Sequence, residues 1–266
     1  MPLLESFFLP HSPVLLPSIG KEHREVIGKT LKSLEKAGAR LQALKPHTLI
    51  VLSAHTNVPT PTFNINLSPT YKPSLEEFGD LHTTKEWHPD IELIHYIRTL
   101  GYGSYDLNLL SSEKLNYGIA VPLLMILKTI NVKIVPITFA RLPLPEMFRF
   151  GQFLHDIAED SSKKISIIAT GELSHHLSKT SPGGYSPKSK AFDQQVVRSL
   201  REKKPESLTK LSDKLLEQVG QCGLRALLIL GGAFSKVNHK TEILSYESPF
   251  GVGYLSAIIK NDTIIS

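Results

Sequence analysis

Apolar residues run almost unbroken through four short stretches, Glu5–Leu9, Thr48–Leu52, Val132–Phe139 and Lys164–Thr170. β-Branched and other apolar side chains dominate them, and that pattern predicts strands buried on both faces. Between the runs the period changes. From Lys21 to Leu44 the residues Ile27, Leu31, Leu34 and Leu41 form one stripe, with Lys, Arg and Glu opposite, and Pro46 follows as a stop. That is an amphipathic helix. The stretch Pro205–Val219 repeats the stripe with Leu208, Leu211, Leu215 and Val219, and Pro145 suits the first turn of a helix running to about Ala158. Cys222–Phe234 is apolar almost all round, which predicts a buried helix. Glu242–Tyr246 and Val252–Ile259, joined through Pro249 and Gly251, read as an antiparallel hairpin.

Strands alternating with helices imply an α/β fold in which a mainly parallel sheet is covered on both faces. Residues 1–266 are expected to form a single domain, with no internal repeat and no low-complexity linker. The least regular stretch, Asn57–Pro89, is rich in Pro and Thr and reads as a lid or insertion with a small strand at Phe63–Ile65. Its aromatics Tyr71, Phe78 and Trp87 are expected to pack the segment down rather than to wall a pocket.

A composition of 41% hydrophobic and 21% charged residues is that of an ordinary globular chain. The formal charge of +5 is spread along the sequence, and its nearest approach to a run, Arg201–Lys204, is broken by Glu202. A solvated surface is expected, not a nucleic-acid footprint. Cys222 is the only cysteine, so the reading excludes an internal disulfide and a thiolate zinc site, and it places the thiol as a small core residue. The N-terminal residues have no leader pattern and no apolar run approaches the ~20 residues of a span, so a soluble, cytoplasmic protein is expected.

The chain carries 11 histidines, and three stand directly after strand candidates. His11 ends Phe7-Phe-Leu-Pro-His11, His55 ends Leu49-Ile-Val-Leu-Ser-Ala-His55, and His175 with His176 follows Ile167-Ile-Ala-Thr-Gly-Glu-Leu-Ser. Open α/β sheets bind ligands outside the carboxyl ends of their strands, so parallel strands would bring these loops to one edge. His23, His95 and His155 in helices, and His47 and His239 near element ends, are expected to be solvated. Two imidazoles and one carboxylate suit a divalent first-row metal with open positions. Glu172, Asp80 and Glu247 are candidate acids, and Glu247 stands out because Pro249-Phe-Gly-Val-Gly253 follows it.

Several motifs, in order, resemble the class III extradiol ring-cleavage dioxygenase superfamily, and within it the AmmeMemoRadiSam system protein B group related to MEMO proteins. They are Leu9-Pro-His-Ser-Pro13, Val51-Leu-Ser-Ala-His55, Phe78-Gly-Asp80, Leu115-Asn-Tyr-Gly-Ile-Ala-Val-Pro-Leu123 and Gly171-Glu-Leu-Ser-His175. Further along come Gly184-Tyr-Ser-Pro187, Phe192-Asp193, Cys222-Gly-Leu-Arg225 and Ser245-Tyr-Glu-Ser-Pro-Phe-Gly-Val-Gly-Tyr254. The resemblance implies a three-layer α/β/α sandwich around a mixed sheet. It also implies a metal held by His11, His55 and Glu247, with His175 as acid and base. Fe(II) is the favoured ion, with Zn or Cu as alternatives. It implies a small, catechol-type substrate with O₂, or a MEMO-like metalloprotein beside a radical SAM-system partner; a homo-oligomer is compatible with either. No nucleic-acid or membrane partner is implied.

Two departures stand out. Asn116-Tyr117-Gly118 replaces an Asp-His-Gly of many ring-cleaving members, and Tyr117 cannot shuttle a proton near neutral pH without a large pKa change. Glu172 replaces a more usual Asp, and His176 takes no role from the family. Asp193 and Arg225, both in matched motifs, are expected to form a buried supporting pair.

Overall fold

The structure, a computed structural model, describes residues 3–56, 58, 61–128 and 130–262. In chain order the strands are β1 (Ser6–Leu9), β2 (Thr48–Ser53), β3 (Phe63–Asn66), β4 (Lys72–Pro73), β5 (Leu107–Leu110), β6 (Lys114–Leu115), β7 (Lys133–Phe139), β8 (Ile165–Thr170), β9 (His239–Glu247) and β10 (Tyr254–Asn261). The α-helices are α1 (Pro17–Gly20), α2 (Gly28–Leu44), α3 (Ile91–Gly101), α4 (Tyr117–Ile126), α5 (Leu144–Asp160), α6 (Ser189–Arg201), α7 (Asp213–Val219) and α8 (Leu224–Phe234).

Eight strands form one sheet in the order β5-β3-β7-β2-β8-β1-β10-β9, and β4 pairs with β6 apart from it. The four apolar runs are its centre: β7, β2, β8 and β1 are mutually parallel. Antiparallel pairing begins on either side, at β3 against β7 and at β10 against β1. Pro136 is tolerated inside β7 because it falls between the isolated bridge Pro89–Ile134 and the β3 ladder, which starts at Ile137.

Side chains of β2 and β8 alternate between two cores. Ile50, Leu52, Ile167 and Ala169 join Phe150, Leu154, Leu228 and Phe234 from α5 and α8. Leu49, Val51 and Ile168 join Leu34 and Leu41 of α2 with Ile119 and Leu123 of α4. This is the three-layer α/β/α sandwich, and each fully buried Leu or Ile contributes about 1.5–3 kcal/mol to it. No helix among the described residues is long and apolar enough to cross a membrane.

The stripes predicted the apolar faces better than they predicted continuity. Lys21–Ile27 is 3₁₀, and the α-helix begins only at Gly28. Pro205–Val219 splits into a 3₁₀ segment, Pro205–Lys210, and α7, because Ser212 accepts the Leu215 N–H as the cap of a new helix. Helix α3, capped by Asp90, follows the irregular stretch. His155 and His239 are buried rather than solvated. Tyr71 and Trp87 bridge each other and are buried, as expected of packing aromatics.

Candidate metal centre

Three adjacent parallel strands, β2, β8 and β1, end at Ser53, Thr170 and Leu9. Two residues beyond each end stand His55, Glu172 and His11. Equivalent positions on neighbouring parallel strands point to one spot above the sheet edge, and these three side chains meet there. Glu172 Oε2 lies 2.9 Å from His11 Nε2, and Glu172 Oε1 accepts the His11 backbone N–H at 2.8 Å. His55 Nε2 is 3.0 Å from His11 Nε2.

The tautomer of His11 follows from its other nitrogen. Thr170 Oγ1 lies 2.6 Å from the Gly118 carbonyl and 3.1 Å from that of Leu52. Carbonyls only accept, so the single hydroxyl hydrogen goes to one of them and His11 Nδ1–H donates to the hydroxyl at 3.1 Å. The Gly118 carbonyl is free for this because Pro122, four residues on in α4, brings no N–H to it. In the neutral ring His11 Nε2 then carries the lone pair, facing a carboxylate oxygen and the Nε2 of His55. Such a set of acceptors needs a proton or a cation among them.

A thiol completes the ring. Cys222 Sγ lies 3.4 Å from His11 Nε2, 3.4 Å from Glu172 Oε2 and 3.8 Å from His175 Nε2. Two triads, His11–His55–Cys222 and Glu172–His175–Cys222, each have ligand atoms within 4.8 Å of one another. The placement of Cys222 depends on Gly171: a Cβ there would sit 2.2 Å from the Gly223 Cα. With that close approach, the Cys222 and Gly223 amides both reach the Glu172 carbonyl. The structure thus brings Cys222, read from the sequence as a small core residue, into the cluster of candidate donors. Its motif, Cys222-Gly-Leu-Arg225, carries the resemblance without assigning the thiol a role; the meeting of α8 with the loop after β8 brings it to the cluster.

Electrostatics follow the geometry. Burial alone would raise the Glu172 carboxyl, but the imidazoles of His11 and His175 and the bonds from His11 hold it at about 2. Burial and the neighbouring His11 push His55 down to about 4. His175 is also lowered, by burial first, despite Glu172. Burial and the Glu172 charge push the Cys222 thiol well up, so it is protonated without a cation beside it. Tyr117 stands over His55 with its hydroxyl 3.1 Å from Nε2, and its pKa is raised by burial. Asn116 Nδ2 donates to the His55 carbonyl at 2.8 Å, and Phe78 packs edge-on to Tyr117. This donor set fits a divalent first-row ion: neutral imidazole, carboxylate and a thiol that a cation would deprotonate.

Other expected residues lie elsewhere. Glu247 is at the carboxyl end of β9, the right edge of the sheet but two strands beyond β1, about 10 Å away at the usual strand spacing. Its Oε1 accepts from the Thr30 amide at 2.7 Å and the Thr30 hydroxyl at 2.6 Å. The acid beside His11 and His55 is Glu172. Asp80 is bound by Ser18, His82 and Thr83. His176 Nδ1 donates to the Gln218 carbonyl at 2.8 Å, away from the cluster. The Asp193–Arg225 pair does not form. Asp193 instead accepts from the Ser174 amide at 2.9 Å and the Tyr246 hydroxyl at 2.7 Å, and Arg225 Nε donates to the Leu142 carbonyl at 3.0 Å.

Residues 5–256 match the family described as the catalytic LigB subunit of aromatic ring-opening dioxygenase. The chain belongs to the LigB family. A Clostridium acetobutylicum protein is 29% identical over 259 residues, covering 93% of this chain and 55% of its own length. A MEMO1 family protein of Methanococcus maripaludis is 26% identical over 156 residues, covering 53% of this chain and 51% of its own. The chain thus spans about half the length of these curated relatives. A crystal structure of an uncharacterized Escherichia coli K12 protein shares this LigB fold, with a TM-score of 0.67 at 18% identity, over 96% of this chain and 99% of that one.

Proposed function

We propose that this chain is a metal-dependent oxidoreductase that brings a small molecule and O₂ together at one divalent ion. The convergence of His11 Nε2, His55 Nε2, Glu172 Oε2 and Cys222 Sγ carries this reading. His11, His55 and Cys222 would hold the ion, with Glu172 beside them. Fe(II) is favoured by the family, and Zn or Cu also suits a thiolate and two imidazoles. Such an ion supplies Lewis acidity and, where redox-active, a path for electrons between substrate and oxygen.

The chain's own groups do the rest. His175, kept neutral by burial, would accept a proton from a bound hydroxyl and return it later. Glu172 stays ionised and fixes His11 by accepting its backbone N–H. Tyr117 is placed to donate a hydrogen bond beside His55 but not to carry a proton away.

Cleavage of a catechol-type ring is the narrower form of this reading. A second reading, a MEMO-like metalloprotein without ring cleavage and with a radical SAM-system partner, is favoured by the thiol in the donor set and by Tyr117. Metal content of anaerobically purified protein, together with O₂ uptake on a panel of catechols, separates them. About one Fe(II) per chain with catechol-dependent uptake, lost in His175→Ala while metal is kept, supports ring cleavage. Bound metal that stays inert across the panel supports the second reading. A chain that holds no ion rejects both.

A further inference from the structure

A cavity of about 410 Å³ opens onto the centre, lined by His55 and Cys222 together with Phe139, Gln221, Arg141 and Arg225. Its size is that of a small-metabolite site. No acidic residue lines it among the described residues, whereas Arg141 and Arg225 do. Both arginines also line an adjoining cavity, and Asp213 and Glu217 belong to that one only.

Arg225 is the informative member. Its side chain is 14% exposed, yet its one hydrogen bond among the described residues is Nε to the Leu142 carbonyl. The nearest carboxylate, Asp213, is 3.6 Å from Nη2, too far for a hydrogen bond, and is itself 83% exposed. A guanidinium offers five N–H donors in a fixed fork, so most of this one is uncommitted beside the cavity. Arg141 adds a second positive charge. Its partner Glu217, at 3.3 Å, forms a surface pair with both side chains largely exposed, so it neutralises Arg141 weakly.

We propose that the ligand of this cavity is a small organic anion, whose carboxylate or phosphate binds Arg225 and Arg141 while its remainder faces Cys222 and His55. The proposal names the substrate class of the metal centre and so rests on that reading. The fork of Arg225 would grip two anion oxygens at once, which fixes orientation as well as charge. Held by its charged end, the molecule would present its other end to the centre in one pose.

The test is calorimetric titration of the metal-loaded protein with benzoate, phenyl phosphate and uncharged benzamide. One or both anions should bind at least tenfold more tightly than benzamide, and which of them does so identifies the charged group. Arg225→Gln should abolish that preference, Arg225→Lys should keep part of it, and metal content should not change. Arg141→Gln, at a mostly exposed side chain, tests the same point without touching the core, and should reduce the preference at least threefold. Equal binding of all three probes, no binding of any, or an anion preference unchanged in the arginine variants overturns the proposal. An empty centre with the preference intact would count against the metal reading alone. A loaded centre without the preference counts against the anion site alone.

Discussion

Pro122 stands four residues after Gly118 in α4, so the Gly118 carbonyl receives no helical N–H and bonds the Thr170 hydroxyl at 2.6 Å instead. That hydroxyl in turn accepts from His11 Nδ1, which directs the Nε2 lone pair at the other donors. Thr170→Val keeps the shape and removes the partner. Metal affinity should fall about 10- to 100-fold, the usual effect of losing a group that orients a ligand imidazole. Pro122→Ala should act in the same direction but less, because its new N–H competes for Gly118 while Leu52 still accepts from Thr170. Chelator competition reads both. Unchanged affinity in Thr170→Val would remove the tautomer argument.

Glu172 and Glu247 make a paired comparison. Glu172→Gln should weaken metal binding about 10- to 100-fold, since it sits 2.9 Å from His11 Nε2. Glu247→Gln should leave metal binding unchanged, because a glutamine oxygen can still accept from Thr30. The reverse ranking, measured by metal content after dialysis, would make Glu247 the acidic ligand.

The Cys222 thiol, pushed well up by burial and by Glu172, is protonated in the metal-free protein at neutral pH. Binding through its sulfur therefore adds about one proton per ion to the release, whereas His55, at about 4, adds none. An indicator dye in weak buffer counts the protons. Cys222→Ser should bind more weakly and release about one proton fewer. Equal release from both proteins would argue that the sulfur is not a ligand.

Asp193 gives the stability a pH dependence of its own. Burial raises its carboxyl to about 6, against the bonds from Tyr246 and Ser174. The folded state thus holds a proton that the unfolded chain has lost above about pH 4. Its favourable contribution is complete below that pH and disappears as pH rises through 6, an order-of-magnitude change of about 3 kcal/mol. Denaturant midpoints of wild type and Asp193→Asn, taken from pH 4 to 7.5, should therefore converge at the acid end. A parallel offset at all pH values would exclude Asp193 as the titrating group.

Gly171→Ala places a Cβ 2.2 Å from the Gly223 backbone, where no side chain can yield. Overpacking of this kind costs about 1–3 kcal/mol. The displaced segment carries Cys222, so metal retention should fall together with the melting temperature. A stable variant with full metal would mean that the two loops do not depend on this approach.

Much of this was legible in the sequence. The four apolar runs, the two-sided core and the edge that gathers His11 and His55 all follow from periodicity and from the parallel-sheet rule. The acid was harder. Glu247 is at the correct edge, but lateral strand order is set by pairing between distant segments, and no local pattern reports that β10 and β9 lie outside β1. Glu172 was findable by counting, since it stands as far beyond its strand as His11 and His55 stand beyond theirs. Cys222 fell in a matched motif, but periodicity could not bring it to the site, because its position depends on two backbones 52 residues apart touching at Gly171 and Gly223.

The centre lies on the seam between the two cores: Cys222 arrives from the layer of α8, Tyr117 from the layer of α4, and the remaining donors from the sheet between. An ion there would act as a rivet through all three layers. A fault in either helical layer, however far from the edge, should then surface as leakage of metal before it surfaces as unfolding. Retention of the ion becomes a gauge of workmanship throughout the sandwich, and variants chosen only for tight loading should repair core defects that no one aimed to mend.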